Sequence, residues 1–193
     1  MIHNKYFIIL EQFLGNYTKE IYGRELVGKI SLSQKAIALY LERLENEGIL
    51  TSRKQGNMKY FHLNIQHSEI KDIILSIELV KKIHFLKKER KIATLLKQDK
   101  RIVGIFGSYA KGTYKKDSDI DLFIIGKKIK EDYEQMGKTF DLNISVKYFN
   151  EEQFKDLLKK KNPLCNEIIK NHITFFNTES FINLIWSNYY GLD

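Results

Sequence analysis

The sequence predicts an α+β protein of two domains joined by a long helix, and three observations lead to this prediction. The first part of the chain reads as helices followed by two short strands. Residues 68–98 contain neither proline nor glycine, and strongly apolar short segments begin at residue 102. Hydrophobic residues make up 43% of the 193, which is enough for a modest core in each half. We therefore expect domains at 1–66 and 102–193, with a linker helix at 67–101.

The N-terminal part combines three short helices with a hairpin. The third helix has Ser33 as its expected N-cap and apolar residues at i, i+3, i+4 and i+7 on one face. Gly56, between the two strands, tolerates the positive φ that a tight turn needs. The expected elements are helices at 6–14, 23–30 and 34–47 and strands at 49–53 and 59–63. This order is typical of a winged helix-turn-helix domain.

The net charge of +8 lies entirely in the first half of the chain. It is +3 over residues 1–66, +5 over 67–101 and zero over 102–193. Such a basic half can bind a polyanion, although a general enrichment in lysine would produce the same distribution. We expect duplex DNA to contact the third helix and the hairpin through Gln34, Lys35, Arg43, Arg53, Lys54 and Lys59.

The alternative for the N-terminal part is a winged helix used for dimerisation or for protein contact. Glu42, Glu45 and Glu47 lie on the same helix and would repel DNA if they faced it. A homodimer is expected, paired through the long linker helix or through the winged helix, because the apolar stripe of the linker helix needs a partner surface.

The C-terminal part alternates apolar strands with helices. A strand that is apolar on both faces is followed by a Gly/Ser loop, which leads into a short helix. The expected strands are 102–106, 120–125, 141–149 and 173–176, and the expected loop is 107–113. The expected longer helices are 128–137, 151–160, 163–171 and 178–189.

Two features of this part point to phosphate and metal chemistry. Gly107 and Ser108 follow a buried strand and open a helix, where unpaired backbone N–H groups can bind phosphate. Asp119 and Asp121 enter the next strand, and their i, i+2 spacing puts both carboxylates on one face. Mg²⁺ prefers hard oxygen ligands and binds through one or two carboxylates together with substrate phosphates. The pattern therefore predicts a site for Mg²⁺ and a nucleoside triphosphate.

The combined motif resembles the DNA polymerase β-like nucleotidyltransferase superfamily, and within it the minimal nucleotidyltransferases. The resemblance rests on Gly107-Ser108, on Gly112 and on the run Ser118-Asp119-Ile120-Asp121-Leu122. It is close over 102–126 and looser to about residue 177. It implies a polymerase β-like fold for the C-terminal domain, with Asp119 and Asp121 as metal ligands. The phosphate-binding residues would be Gly107, Ser108, Lys111 and Gly112.

The sequence departs from the family pattern at two places. Tyr109 stands where the family has arginine, with Lys111 at the second basic position. Active members also need a third carboxylate on a neighbouring strand, and Asp141 is the candidate, at the start of the strand expected at 141–149. The alternative is that Asp141 is an ordinary polar residue at a strand entry, since Asn143 and Ser145 follow it on the same face.

Two functions from different classes remain open at this stage. In the first, the protein transfers a nucleoside monophosphate from a nucleoside triphosphate to an acceptor and also binds DNA. In the second, a weak or inactive nucleotidyltransferase fold serves a transcriptional regulator or antitoxin-like protein. The single Cys165, the missing signal-peptide pattern and the lack of a long apolar run predict a cytoplasmic protein without membrane contact.

Overall fold

The computed structural model describes residues 5–129 and 133–192. The chain forms two compact units, residues 1–77 and 78–193. The expected linker region at 67–101 is therefore divided between them. It holds two helices, α3 (Ile70–Lys88) and α4 (Arg90–Leu95), which are separated at Glu89.

The first unit combines α-helices with a small antiparallel sheet and ends within α3. Its elements in chain order are α1 (Lys5–Leu10), β1 (Ile21–Tyr22), α2 (Gln34–Asn46), β2 (Leu50–Gln55) and β3 (Met58–Leu63). The strands have the order β1-β3-β2, with both outer strands antiparallel to β3. The second expected helix is only a short 3₁₀ turn, Gly23–Leu26.

Local signals in the first unit agree with the sequence prediction. Ser33 caps α2, since its hydroxyl oxygen accepts a hydrogen bond from the backbone N–H of Ala36 at 3.3 Å. Gly56 has a φ of 59° in the tight turn between β2 and β3. The side chains that α2 buries are Ile37, Leu41 and Leu44, which follow the predicted spacing.

The second unit is built on a four-stranded mixed sheet. The elements that follow α4 are β4 (Ile102–Phe106), α5 (Gly107–Lys111), β5 (Ile120–Ile125), α6 (Tyr133–Thr139), β6 (Ile144–Phe149), α7 (Glu151–Lys159), α8 (Pro163–Lys170), β7 (Ile173–Phe176) and α9 (Thr178–Ile185). A π-helical turn, Trp186–Tyr190, follows α9. The strand order is β6-β5-β4-β7, in which β5 and β6 are parallel and the other pairs are antiparallel.

Apolar side chains cover both faces of this sheet. On one face, Ile105, Leu122 and Ile124 form a hydrophobic cluster with the buried residues of α4. On the other face Phe123 packs against Phe181 of α9, at 5.2 Å between ring centroids. Burial on both faces explains why β4 and β5 are apolar along most of their length.

Three expected boundaries in the second unit are wrong. Helix α5 begins directly at Gly107, so the Gly/Ser segment is a helical turn and not a loop. The third strand begins at Ile144 and not at residue 141, because Asp141 has a φ of 52° and lies in a turn. The helix expected at 128–137 is Tyr133–Thr139, and residues 130–132 of that prediction lie outside the described residues.

Candidate active site

The two predicted metal ligands lie together at the start of β5. Asp119 directly precedes the strand and is exposed, whereas Asp121 is half-buried. Burial raises the pKa of Asp121, the nearby charge of Asp119 raises it further, and Lys147 lowers it. The two carboxylates therefore repel each other across a short distance, and a cation bound between them would relieve that repulsion.

Gly107 brings the glycine motif into direct contact with the carboxylates. Strands β4 and β5 are antiparallel, and Phe106 pairs with Asp121 at the end of β4. Gly107 then turns the chain with a φ of 69°. A Cβ atom at this position would lie 2.5 Å from Oδ2 of Asp121, closer than any side chain permits. Glycine is required here both for its backbone conformation and for the space that the carboxylate occupies.

The remaining residues of the glycine motif shape the end of α5. Gly112 ends the helix with a φ of 71°, and its N–H donates to the carbonyl of Tyr109 at 3.1 Å. Lys111, the predicted phosphate-binding cation, forms an ion pair with Glu167 of α8 at 2.6 Å. Both side chains are partly exposed, so this pair leaves Lys111 accessible but partly neutralised.

Tyr109, at the position where the family resemblance predicts arginine, contacts another aromatic residue. Tyr109 stacks face to face on Tyr114, with ring centroids 4.0 Å apart and planes 2° apart. The hydroxyl of Tyr114 donates to a carboxylate oxygen of Glu89. Tyr109 therefore belongs to an aromatic contact and supplies no positive charge to the site.

Ser118 of the motif holds the turn in front of the two carboxylates. Its hydroxyl oxygen accepts a hydrogen bond from the backbone N–H of Lys115 at 2.8 Å, and its own N–H donates to the Lys115 carbonyl at 3.1 Å. These two bonds close the turn at 115–118 and set the direction in which the chain enters β5.

No carboxylate occupies the neighbouring strand beside Asp121. The parallel register pairs Asp121 with Ser145 and Phe123 with Lys147. Asp141 was expected to supply a third carboxylate from that strand. It lies three residues before β6 and is therefore not on the strand. Within residues 5–129 and 133–192, no three His, Cys, Asp or Glu side chains come together in a way that could hold a metal ion. A bound ion would therefore need further ligands from substrate or water.

A cavity of about 280 Å³ adjoins Asp119. Helix α6 contributes Glu134 and Lys138 to it, and β6 with the segment before it contributes Leu142, Asn143, Ile144 and Ser145. One carboxylate oxygen of Glu134 accepts a hydrogen bond from the backbone N–H of Val146 at 3.1 Å. The cavity is polar and charged on several sides, and it is large enough for a small polar molecule.

The predicted DNA-binding residues of the first unit fall into two groups. Gln34, Lys35 and Lys54 are exposed. Arg53 is also exposed, but it forms a bidentate ion pair with Glu20, in which both contacts measure 2.6 Å.

The other two cations also have partners within the first unit, and so does Glu45 of α2. Lys59 pairs with Glu45, which also accepts a hydrogen bond from Ser52. Arg43 lies over the ring of Tyr40, 5.8 Å from its centroid. Lys59 thus neutralises Glu45, and the same ion pair removes part of the positive charge that was expected to bind DNA.

One comparison with known proteins gives a match within the second unit. Residues 90–181 match the family model described as polymerase beta nucleotidyltransferase. The C-terminal part of the chain contains a nucleotidyltransferase domain. The match covers just under half of the chain and includes the glycine motif and both aspartates. No curated protein and no solved structure gave a significant match.

Sequence reasoning missed three charged residues of the nucleotidyltransferase domain. Lys147, Glu134 and Lys138 all lie near the two aspartates, the first through strand pairing and the others through the cavity. Alternation puts Lys147 on the polar face of its strand, but only the pairing of β6 with β5 shows that this face adjoins Asp121. No local signal marks Glu134 or Lys138, because the packing of α6 brings them to the site.

Proposed function

We propose that the second unit binds a nucleoside triphosphate with Mg²⁺ and transfers the nucleoside monophosphate to an acceptor hydroxyl. The observation that carries this proposal is the contact between Gly107 and the Asp121 carboxylate, with Asp119 beside it. This contact brings the proposed phosphate-binding turn next to the two proposed metal ligands. The match to the polymerase beta family model covers the turn and both aspartates.

The residues present fit a divalent ion that arrives with its substrate. Two adjacent carboxylates, one of them with a raised pKa, favour a cation between them. Mg²⁺ commonly binds through one or two carboxylates and completes its shell with phosphate oxygens and water. When bound, the ion neutralises negative charge on the reacting phosphates.

The residues of the chain orient the substrate for the transfer. Gly107 and Ser108 offer backbone N–H groups to the phosphates, and Asp119 and Asp121 hold the ion. The acceptor oxygen forms a bond to the α-phosphorus, the bond from that phosphorus to the bridging oxygen breaks, and pyrophosphate leaves. The acceptor proton passes to solvent. A catalytic role for Asp141 stays a prediction without a geometric argument.

Calorimetry of nucleotide binding tests this proposal. We expect the wild-type protein to bind a nucleoside triphosphate in the presence of Mg²⁺ and to bind it far more weakly after chelation. Asp119→Asn removes one ligand and should weaken the Mg²⁺-dependent binding by about tenfold or more. Asp117→Asn makes the same charge change in the exposed turn and should bind as the wild type does. Wild-type protein that binds no triphosphate with Mg²⁺ would refute the proposed site.

The second candidate function is a regulator with weak or no catalysis, resembling an antitoxin. The position beside Asp121 on β6 is Ser145, which favours this alternative because it leaves the pair without a third carboxylate. Assays of label transfer from α-labelled triphosphate to protein, RNA and small hydroxyl acceptors distinguish the two functions. Binding without transfer to any acceptor would favour the regulator.

We further propose that the first unit is a winged helix that binds duplex DNA. Two observations support this: the strand order β1-β3-β2 with α2 before the hairpin, and the exposed Gln34, Lys35 and Lys54. Arg53 and Lys59 contribute less in this proposal, since each is engaged by a glutamate. Arg43 remains part of the proposed interface.

Affinity measurements at different salt concentrations test the DNA proposal. Binding should weaken steeply as salt rises, because each phosphate contact releases counterions. Lys35→Ala should lower the slope of log affinity against log salt by about one, while Lys127→Ala in the second unit should leave it unchanged. No binding of the full chain to duplex DNA at low salt would rule out this function.

A homodimer stays a prediction. Leu79 and Ile83, one helical turn apart on α3, are exposed and could contribute to its contact surface. Among the described residues, no helix combines the length and the apolar character that crossing a bilayer requires. Cytoplasmic localisation stays a prediction as well.

A further inference from the structure

The strand next to the two aspartates, β6, carries a lysine and no carboxylate. Side chains alternate along β6, and the register pairs Asp121 with Ser145 and Phe123 with Lys147. Ser145 and Lys147 therefore lie on the same face of the sheet as Asp121 and Phe123. The face that could complete a larger metal site carries a hydroxyl and an ammonium group instead.

The charge of Lys147 acts on Asp121. Burial and Asp119 raise the pKa of Asp121, and Lys147 is the group that lowers it. The lysine is exposed, so its ammonium group can reach a ligand bound over the sheet edge. Its long side chain lets it approach the carboxylates or the phosphates without a change in the backbone.

The charge balance of the site favours a single divalent ion. Asp119 and Asp121 contribute two negative charges and Lys147 one positive charge, while Glu134 and Lys138 of the adjoining cavity offset each other. One divalent ion therefore already gives this group a net positive charge. A second ion would face both the first ion and the Lys147 ammonium group, with no carboxylate on β6 to offset the repulsion. The triphosphate would have to supply all of the compensating charge.

We propose that this site takes one divalent ion, delivered with the triphosphate, and that Lys147 supplies the positive charge that a second ion would otherwise supply to the phosphates. This inference rests on the proposed function and adds to it the number of ions and a phosphate-binding residue. Lys147 then binds the substrate directly, and the ion stays between Asp119 and Asp121.

Two binding constants measured on Lys147→Met should move in opposite directions. Without the ammonium group, the aspartates should bind Mn²⁺ alone more tightly, by about threefold to tenfold, because one repulsion is lost. Binding of an α,β-methylene nucleoside triphosphate should weaken by about tenfold. Lys127→Met is the matched control, since this exposed lysine follows the opposite end of β5. A purely structural role for Lys147 would weaken both constants together.

Electron paramagnetic resonance of Mn²⁺ counts the ions in the complex with the same triphosphate analogue. We expect one Mn²⁺ per bound analogue in the wild type. The double variant Ser145→Asp, Lys147→Met places a carboxylate beside Asp121, removes the ammonium group and should bind two. Circular dichroism confirms that each variant is folded before the ions are counted.

The possible results separate this inference from the function on which it rests. One ion in the wild type, with opposite shifts in Lys147→Met, supports the inference. Two ions in the wild type, or a Lys147→Met variant that behaves like Lys127→Met, overturn it and leave the proposed function intact. A wild-type protein that binds neither Mn²⁺ nor the analogue overturns both.

Discussion

Gly107→Ala should weaken Mg²⁺-dependent nucleotide binding by at least about tenfold. The added Cβ would stand 2.5 Å from Oδ2 of Asp121, so the carboxylate must move away from its position beside Asp119. The φ of 69° adds a second cost, since alanine in the left-handed region loses about 1–2 kcal/mol. We expect both a loss of affinity by calorimetry and a lower unfolding midpoint.

Gly191→Ala separates these two effects. Gly191, which follows the π-helical turn, has a φ of 65°, so alanine meets a similar backbone strain, but nothing lies within 4 Å of its added Cβ. This variant should lose stability as Gly107→Ala does and keep its nucleotide affinity. Equal losses of affinity in both variants would mean that lost stability, and not the contact with Asp121, determines binding.

The second large effect is expected at a buried ion pair in the second unit. Glu78 of α3 is fully buried, and its Oε1 lies 3.0 Å from Nε2 of His172, just before β7. Lys81 lies 3.8 Å from the other carboxylate oxygen and also donates to the His172 carbonyl at 2.6 Å.

Glu78→Gln should destabilise the protein by about 3–5 kcal/mol, because it leaves buried charge without its partner. Urea unfolding measures this change in the free energy of unfolding. The control is Glu151→Gln, which breaks an exposed ion pair with Lys155 and should cost less than about 1 kcal/mol. The prediction fails if the two variants unfold at similar urea concentrations.

The same variant should change the dependence of stability on pH. Burial by itself would raise the pKa of Glu78, but the charges of His172 and Lys81 hold it below its usual value. A carboxyl group with a lowered folded pKa adds stability above its unfolded pKa and loses it as the pH falls through the folded value. Wild-type stability should therefore drop below about pH 4.5, and this drop should be smaller in Glu78→Gln.

The sequence by itself determined the elements that depend on near neighbours in the chain. The Ser33 cap, the turn at Gly56 and the apolar strands 102–106 and 120–125 are formed by residues close to one another. The same-face spacing of Asp119 and Asp121 follows from the two-residue period of a strand. The nucleotidyltransferase motif was visible because all of its parts lie between residues 107 and 122.

Only the tertiary structure decided which distant residues meet at the site. The antiparallel pairing of β4 and β5 brings Gly107 against Asp121, and the parallel register of β6 puts Ser145 beside the same aspartate. Strand order and register depend on packing among residues far apart in the chain, so periodicity along one strand cannot reveal them. For the same reason the sequence could not show that Glu167 pairs with Lys111 or Glu20 with Arg53.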